Sequence, residues 1–232
     1  MTGQPTPRPL LALAGVSRSY GALQALKPLD LTVAAGRCVA FLGVNGSGKS
    51  TLLRIAAGRD TPTTGQVSYD GRPLQEDALV TRTEIAVVGD ARSAYPDLTV
   101  REHLLLGAVA HGAGSRAPDL ADAAMTQCRL ADHANSLPGW LSSGQRQALQ
   151  LAAVFVRPRR LLILDEPEQR LDPGARRWLA EVLVAEKSRG VALLLATHHV
   201  ELAEAVADEA IVLLDGAVAG RGTPDEAMAA LR

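Results

Sequence analysis

Five residues, Cys38 to Leu42, run without a charge into Gly43-Val44-Asn45-Gly46-Ser47-Gly48-Lys49-Ser50-Thr51, and this junction limits the possible folds more than any other stretch of the chain. It fits the phosphate-loop pattern GxxxxGK[ST], also called Walker A, placed after an apolar strand and before a helix. The chemistry requires these residue types. Glycines let successive backbone N–H groups converge on phosphate oxygens, and the N-terminus of the helix starting near Lys49 adds a positive dipole. Lys49 reaches the β- and γ-phosphates, and the Ser50 hydroxyl binds Mg²⁺. The fold class predicted is α/β, a P-loop NTPase core with a parallel sheet.

A second apolar run supports that core. Leu161-Leu162-Ile163-Leu164 ends in Asp165-Glu166, as a buried strand does when it delivers acids to the C-terminal edge of a parallel sheet, where ligands bind. Asp165 is placed to hold Mg²⁺, directly or through water, and Glu166 to orient or deprotonate the water that attacks a γ-phosphate. Strands are also expected at Leu10 to Val16, Leu29 to Val33, Gln66 to Tyr69, Ile85 to Val88, Val191 to Ala196 and Ile211 to Leu214. Asp70-Gly71 and Asp215-Gly216 mark tight hairpin turns.

Between about Asp90 and Arg157 the pattern turns helical and reads as an inserted lobe. Thr99 to Glu102 is a capping box for a helix from Val100 to about Val109, and Pro118 opens another reaching about Leu130. Thr223 caps a last short helix. Residues 1–9, with three prolines, read as a disordered tail, leaving 10–232 as one domain with the lobe at about 90–157.

Charge and composition exclude several classes of function. The formal net charge of −1 provides no global basic field, so no nucleic-acid partner is expected. No apolar run reaches the length of a membrane span, and Leu10 to Val16 lacks the flanks of a signal peptide. Cys38 and Cys128 form no metal-ligand spacing and read as small core residues in a reducing compartment.

Taken in order, these pieces resemble the nucleotide-binding domain of the ABC ATPase family, from about Leu10 onward. Leu141-Ser142-Ser143-Gly144-Gln145 matches that family's LSGGQ signature, Tyr20 its adenine-stacking aromatic, Leu171-Asp172 the end of its D-loop, and His198 its switch histidine facing the γ-phosphate. The resemblance implies an N-terminal antiparallel β subdomain and an inserted helical subdomain. It also implies ATP and Mg²⁺ as cofactors, with Glu166, His198 and Lys49 catalytic. Ser142, Ser143, Gly144 and Gln145 then close over nucleotide held by a second ABC ATPase subunit, in a head-to-tail homodimer or heterodimer. An integral membrane permease is the other partner, which places the chain at the cytoplasmic face of the cell membrane. Arg92, Ala94, Tyr95, Pro96 and Leu98 are the expected docking surface. The short C-terminus favours export over regulated import.

Three departures stand out. Ser143 replaces the middle signature glycine, and Asp90, a candidate Mg²⁺ ligand, stands where the family has its Q-loop glutamine. Glu168-Gln169-Arg170 replaces the small residues usual before Leu171. Two other functions fit the same motifs: a non-transport ABC ATPase and a slow regulatory nucleotide switch.

Overall fold

The structure, a computed structural model, describes residues 9–75, 79–89 and 94–229. Strands β1 (Leu11–Tyr20) and β2 (Leu23–Val33) pair antiparallel and lead to β3 (Cys38–Leu42), the glycine loop and helix α1 (Lys49–Ala56). Strands β4 (Thr64–Tyr69) and β5 (Arg72–Pro73) complete a four-stranded sheet in the order β2-β1-β4-β5. Asp70 and Gly71 join them at φ 47° and 72°, the left-handed pair a two-residue hairpin needs.

Helix α2 (Leu79–Glu84) leads to β6 (Ile85–Val88), followed by α3 (Val100–Ala110), α4 (Ala117–Gln127) and α5 (Ser143–Phe155). The chain returns through β7 (Leu161–Asp165), α6 (Pro173–Ser188), β8 (Ala192–Thr197) and α7 (Val200–Val206). A hairpin, β9 (Glu209–Leu214) with β10 (Ala217–Gly222), precedes α8 (Pro224–Ala229). The second sheet has the order β10-β9-β3-β8-β7-β6, parallel except for the β9–β10 pair.

Register explains how this sheet builds a site. Leu42 pairs with Thr197, and Asp165 with Ala196, so β3, β7 and β8 end side by side. The residues that follow, Gly43, Glu166 and His198, therefore emerge at one edge. The strands can run apolar throughout because both faces are covered. Phe41, Ile163 and Leu194 pack with Leu52 and Ile55 of α1, while Leu162, Leu164 and Leu195 pack with Leu149 of α5 and Leu179 of α6.

Several boundaries differ from the sequence expectation. β1 and β2 extend past their apolar runs because their outer halves are half-exposed and carry polar residues such as Ser19 and Gln24. α4 stops at Gln127 rather than near Leu130, since Arg129 turns left-handed at φ 56° and the Leu130 N–H bonds the Met125 carbonyl. α2 lacked a readable signal: its six residues include Val80, Thr81 and Thr83, which favour strand. Both cysteines are buried and free, and burial pushes each thiol up to about 12.

The capping box at α3 is present as expected: the Glu102 N–H bonds Thr99 Oγ1 at 3.3 Å, and the Thr99 N–H bonds Glu102 Oε2 at 2.8 Å. Thr99→Ala is expected to lower stability by about 1 kcal/mol, read as a shifted urea midpoint.

Candidate active site

A cleft of about 410 Å³ opens at the shared sheet edge. Asn45, Gly46, Gly48, Lys49, Ser50 and Thr51 line it from the glycine loop. Gly89, Asp165, Glu166 and Gln169 face them from the ends of β6 and β7. The loop's path depends on glycine. Gly48 sits at φ 103°, where a Cβ would lie 2.7 Å from the Ala25 carbonyl oxygen, and Gly43 at φ 149° would meet the Leu213 carbonyl oxygen at 2.4 Å. Ser47 is buried inside the loop, and its hydroxyl has no hydrogen-bond partner among the described residues.

Lys49 is buried as well and turns its ammonium onto the loop, donating to the carbonyls of Gly43 at 2.7 Å and Val44 at 3.0 Å. No side chain caps α1, whose N-cap is Gly48, so its first-turn amides point at the cleft. Anion-binding amides and a cation on one side meet carboxylates on the other. The Ser50 hydroxyl and the Asp165 carboxylate are an all-oxygen donor set, which suits a hard cation such as Mg²⁺. Asp90 and Arg92 lie outside the described residues.

Glu166 takes the left-handed conformation at φ 47°, unusual for a side chain of this size. Its N–H bonds the Ala196 carbonyl at 2.9 Å, which ties the strained residue to β8. Glu166 Oε2 accepts from Gln169 Nε2 at 2.6 Å and lies 3.8 Å from His198 Nδ1. Sequence reasoning marked Gln169 only as a departure, because its contact depends on the turn that Glu166 and Arg170, at φ 65°, impose on the segment. Glu168, His198 and His199 bring ligand atoms within 4.8 Å of one another. Arg176 lies against both ring nitrogens of His199, at 3.0 and 3.4 Å, and that guanidinium makes the group a poor home for a cation.

Tyr20 is not among the residues lining the cleft. It ends β1, donates its hydroxyl to Asp60 and carries the Arg18 guanidinium 4.5 Å from its ring centroid. The signature residues are also outside the lining. Ser142 caps α5 in a box of its own: its N–H bonds Gln145 Oε1 at 2.8 Å and its Oγ accepts the Gln145 N–H at 3.2 Å. Ser143 starts the helix and is exposed, and a Cβ on Gly144 would lie 3.5 Å from the Arg170 carbonyl oxygen, which puts the signature beside the segment after Glu166.

The sequence profile of the ABC transporter family matches residues 26–169, a span that begins within β2 and ends at Gln169. The chain belongs to the ABC transporter family. It is 36% identical over 226 residues to a Nod factor export ATP-binding protein I of Rhizobium meliloti (strain 1021), covering 96% of this chain and 68% of that relative. A protein of the same description from Rhizobium sp. (strain N33) is 35% identical, over 91% of this chain and 70% of its own length. Among solved structures, the dimeric structure of a bacterial ABC transporter cassette superposes with a TM-score of 0.84 at 26% identity, covering 92% of this chain and 98% of that one. An ATP-binding subunit of an ABC transporter superposes with a TM-score of 0.81 at 32% identity, covering 93% and 90%. The ABC ATPase fold explains both sheets, and membership in this family implies ATP binding and hydrolysis. Among the described residues, no helix of this ABC protein is long and apolar enough to cross a membrane.

Proposed function

We propose that this chain is the Mg²⁺-dependent ATPase subunit of an ABC transporter whose permease is a separate membrane protein. The observation that carries the reading is the meeting, at one sheet edge, of a Lys49-bearing phosphate loop with Asp165 and Glu166 in a single cleft. In this reading the Lys49 ammonium leaves the Gly43 and Val44 carbonyls for the β- and γ-phosphate oxygens of ATP. The amides that open α1 take the remaining oxygens. Ser50 and Asp165 would hold Mg²⁺, which would supply neutralising positive charge to the triphosphate. Glu166 accepts a proton from the water whose oxygen bonds to the γ-phosphorus as the bond to ADP breaks. His198 donates to the γ-phosphate, and Tyr20, backed by Arg18, stacks on the base.

The signature serves a second subunit. Its capping box uses the Ser142 and Gln145 N–H groups, which leaves the Ser143 hydroxyl and the amides of Ser143 and Gly144 to face the partner's γ-phosphate. ATP then closes a head-to-tail dimer, and hydrolysis reopens it. A groove of about 700 Å³, lined by Val88, Tyr95, Pro96, Leu106, Leu149 and Ala153, suits an apolar helix of the permease. Tyr95 and Leu106 are exposed there, at 59% and 45%. Of the docking residues read from sequence, Ala94, Tyr95 and Pro96 line this groove and Leu98 does not. Relatives named for export support outward transport, and a permease partner supports a place at the cytoplasmic face of the membrane.

Purification of the tagged chain from its own cells tests this. An integral membrane protein should co-purify, and Leu106→Glu should weaken that association by about 30-fold, an effect of hot-spot size, without altering ATP binding. Recovery of soluble partners or nucleic acid alone would contradict the transporter reading.

A further inference from the structure

Glu168 stands where a small residue was expected, yet it is only 1% exposed. Its Oε1 accepts from the Thr197 hydroxyl, and Thr197 Oγ1 in turn accepts the His199 N–H at 2.9 Å. The same Oε1 lies 3.9 Å from His198 Nδ1. Its second oxygen, Oε2, is buried without a hydrogen-bond partner among the described residues. Burial pushes the Glu168 carboxyl up, toward its protonated form. Buried polar atoms are rarely left unpaired, so this oxygen calls for a group that completes it.

The switch histidine stands beside this carboxylate, its Nδ1 facing Oε1. The His198 side chain is about half exposed, and it faces Glu166 Oε2 at 3.8 Å, Glu168 Oε1, and the His199 ring at 4.3 Å, behind which stands Arg176. Glu166 already accepts from Gln169, whereas Glu168 keeps an unused oxygen. We propose that Glu168 is a positioning residue for His198, hydrogen-bonding Nδ1 so that Nε2 carries its hydrogen toward the terminal phosphate. A protonated carboxyl donates to Nδ1 of a neutral ring, and a carboxylate accepts from Nδ1–H of a charged one. Both arrangements leave the hydrogen on Nε2. The inference rests on the ATP-hydrolysis reading.

The test compares steady-state ATP turnover of the full chain with that of Glu168→Gln, Glu168→Thr, His198→Ala and the Glu168→Thr/His198→Ala double variant. Gln can accept from Thr197 and donate to Nδ1, so kcat should stay within about threefold of wild type. Thr should lose about 10- to 100-fold in kcat, the range for removing a group that orients a working imidazole, with KM for ATP changed by less than about threefold. In the His198→Ala background the Thr substitution should cost less than about twofold, because its partner is gone. Should the Thr variant unfold at the assay temperature, Glu168→Met, of similar length and without a strong hydrogen-bonding group, takes its place. Unchanged kcat in Thr or Met, a Gln variant as slow as Thr, or losses that multiply in the double variant each overturn the proposal. A wild-type chain without turnover overturns the functional reading and this inference with it.

Discussion

Glu166→Gln is expected to lower steady-state ATP turnover by a factor of about 10² to 10⁴, the span of a lost general base, while the Kd for ATP changes by less than about threefold. Binding should persist because Gln is isosteric and the loop amides, Lys49 and Ser50 are untouched. The backbone should persist too, since the left-handed turn at φ 47° is held by the Glu166 N–H bond to the Ala196 carbonyl, which does not involve the side chain. Gln169 Nε2 donates to Glu166 Oε2 and can donate equally to the carbonyl oxygen of a Gln at this position. Turnover rates with nucleotide affinity measured in parallel check this, and undiminished turnover would remove Glu166 from the mechanism.

Glu186→Ala should give the largest loss of stability, about 3–5 kcal/mol by urea unfolding. Glu186 is fully buried near the end of α6, where Oε2 receives Arg159 Nε and a second guanidinium nitrogen, both at 2.6 Å, and Oε1 receives Arg189 at 2.8 Å. Arg159 also donates to the carbonyls of Val154, Phe155 and Arg157 at 3.4, 3.1 and 3.0 Å, so one guanidinium closes the C-terminal end of α5 and pins it to α6. Removing Glu186 leaves that cation buried and unpaired. A change below about 1 kcal/mol would show that water or another acid can replace the carboxylate.

The sheet edge was legible in the sequence because each of its strands is an apolar run ending in a chemically distinctive residue. Leu42 gives way to Gly43, Leu164 to Asp165, and Thr197 to His198, and a parallel sheet with both faces covered admits few other readings. The two hairpins were legible for a local reason, since Asp-Gly accepts the left-handed pair at residues 70–71 and 215–216. Contacts distant in sequence were not. The Tyr20 hydroxyl finds Asp60, Arg159 finds Glu186, and Glu168 lies under Thr197, partners that only the folded chain brings together. Glu168 and Glu186 also defeat the rule that acids face water, each buried for a specific hydrogen-bond network. The glycine loop and the signature are both legible as motifs, but the cleft is lined by the loop and by residues after β6 and β7, and not by Ser142 to Gln145.

Sedimentation velocity of Glu166→Gln with Mg²⁺ and either ATP or ADP shows whether two copies of the chain close around nucleotide. A dimer is expected with ATP, a monomer with ADP, and loss of the ATP dimer in a further Gly144→Glu variant. A species that stays monomeric with saturating ATP would contradict the head-to-tail dimer.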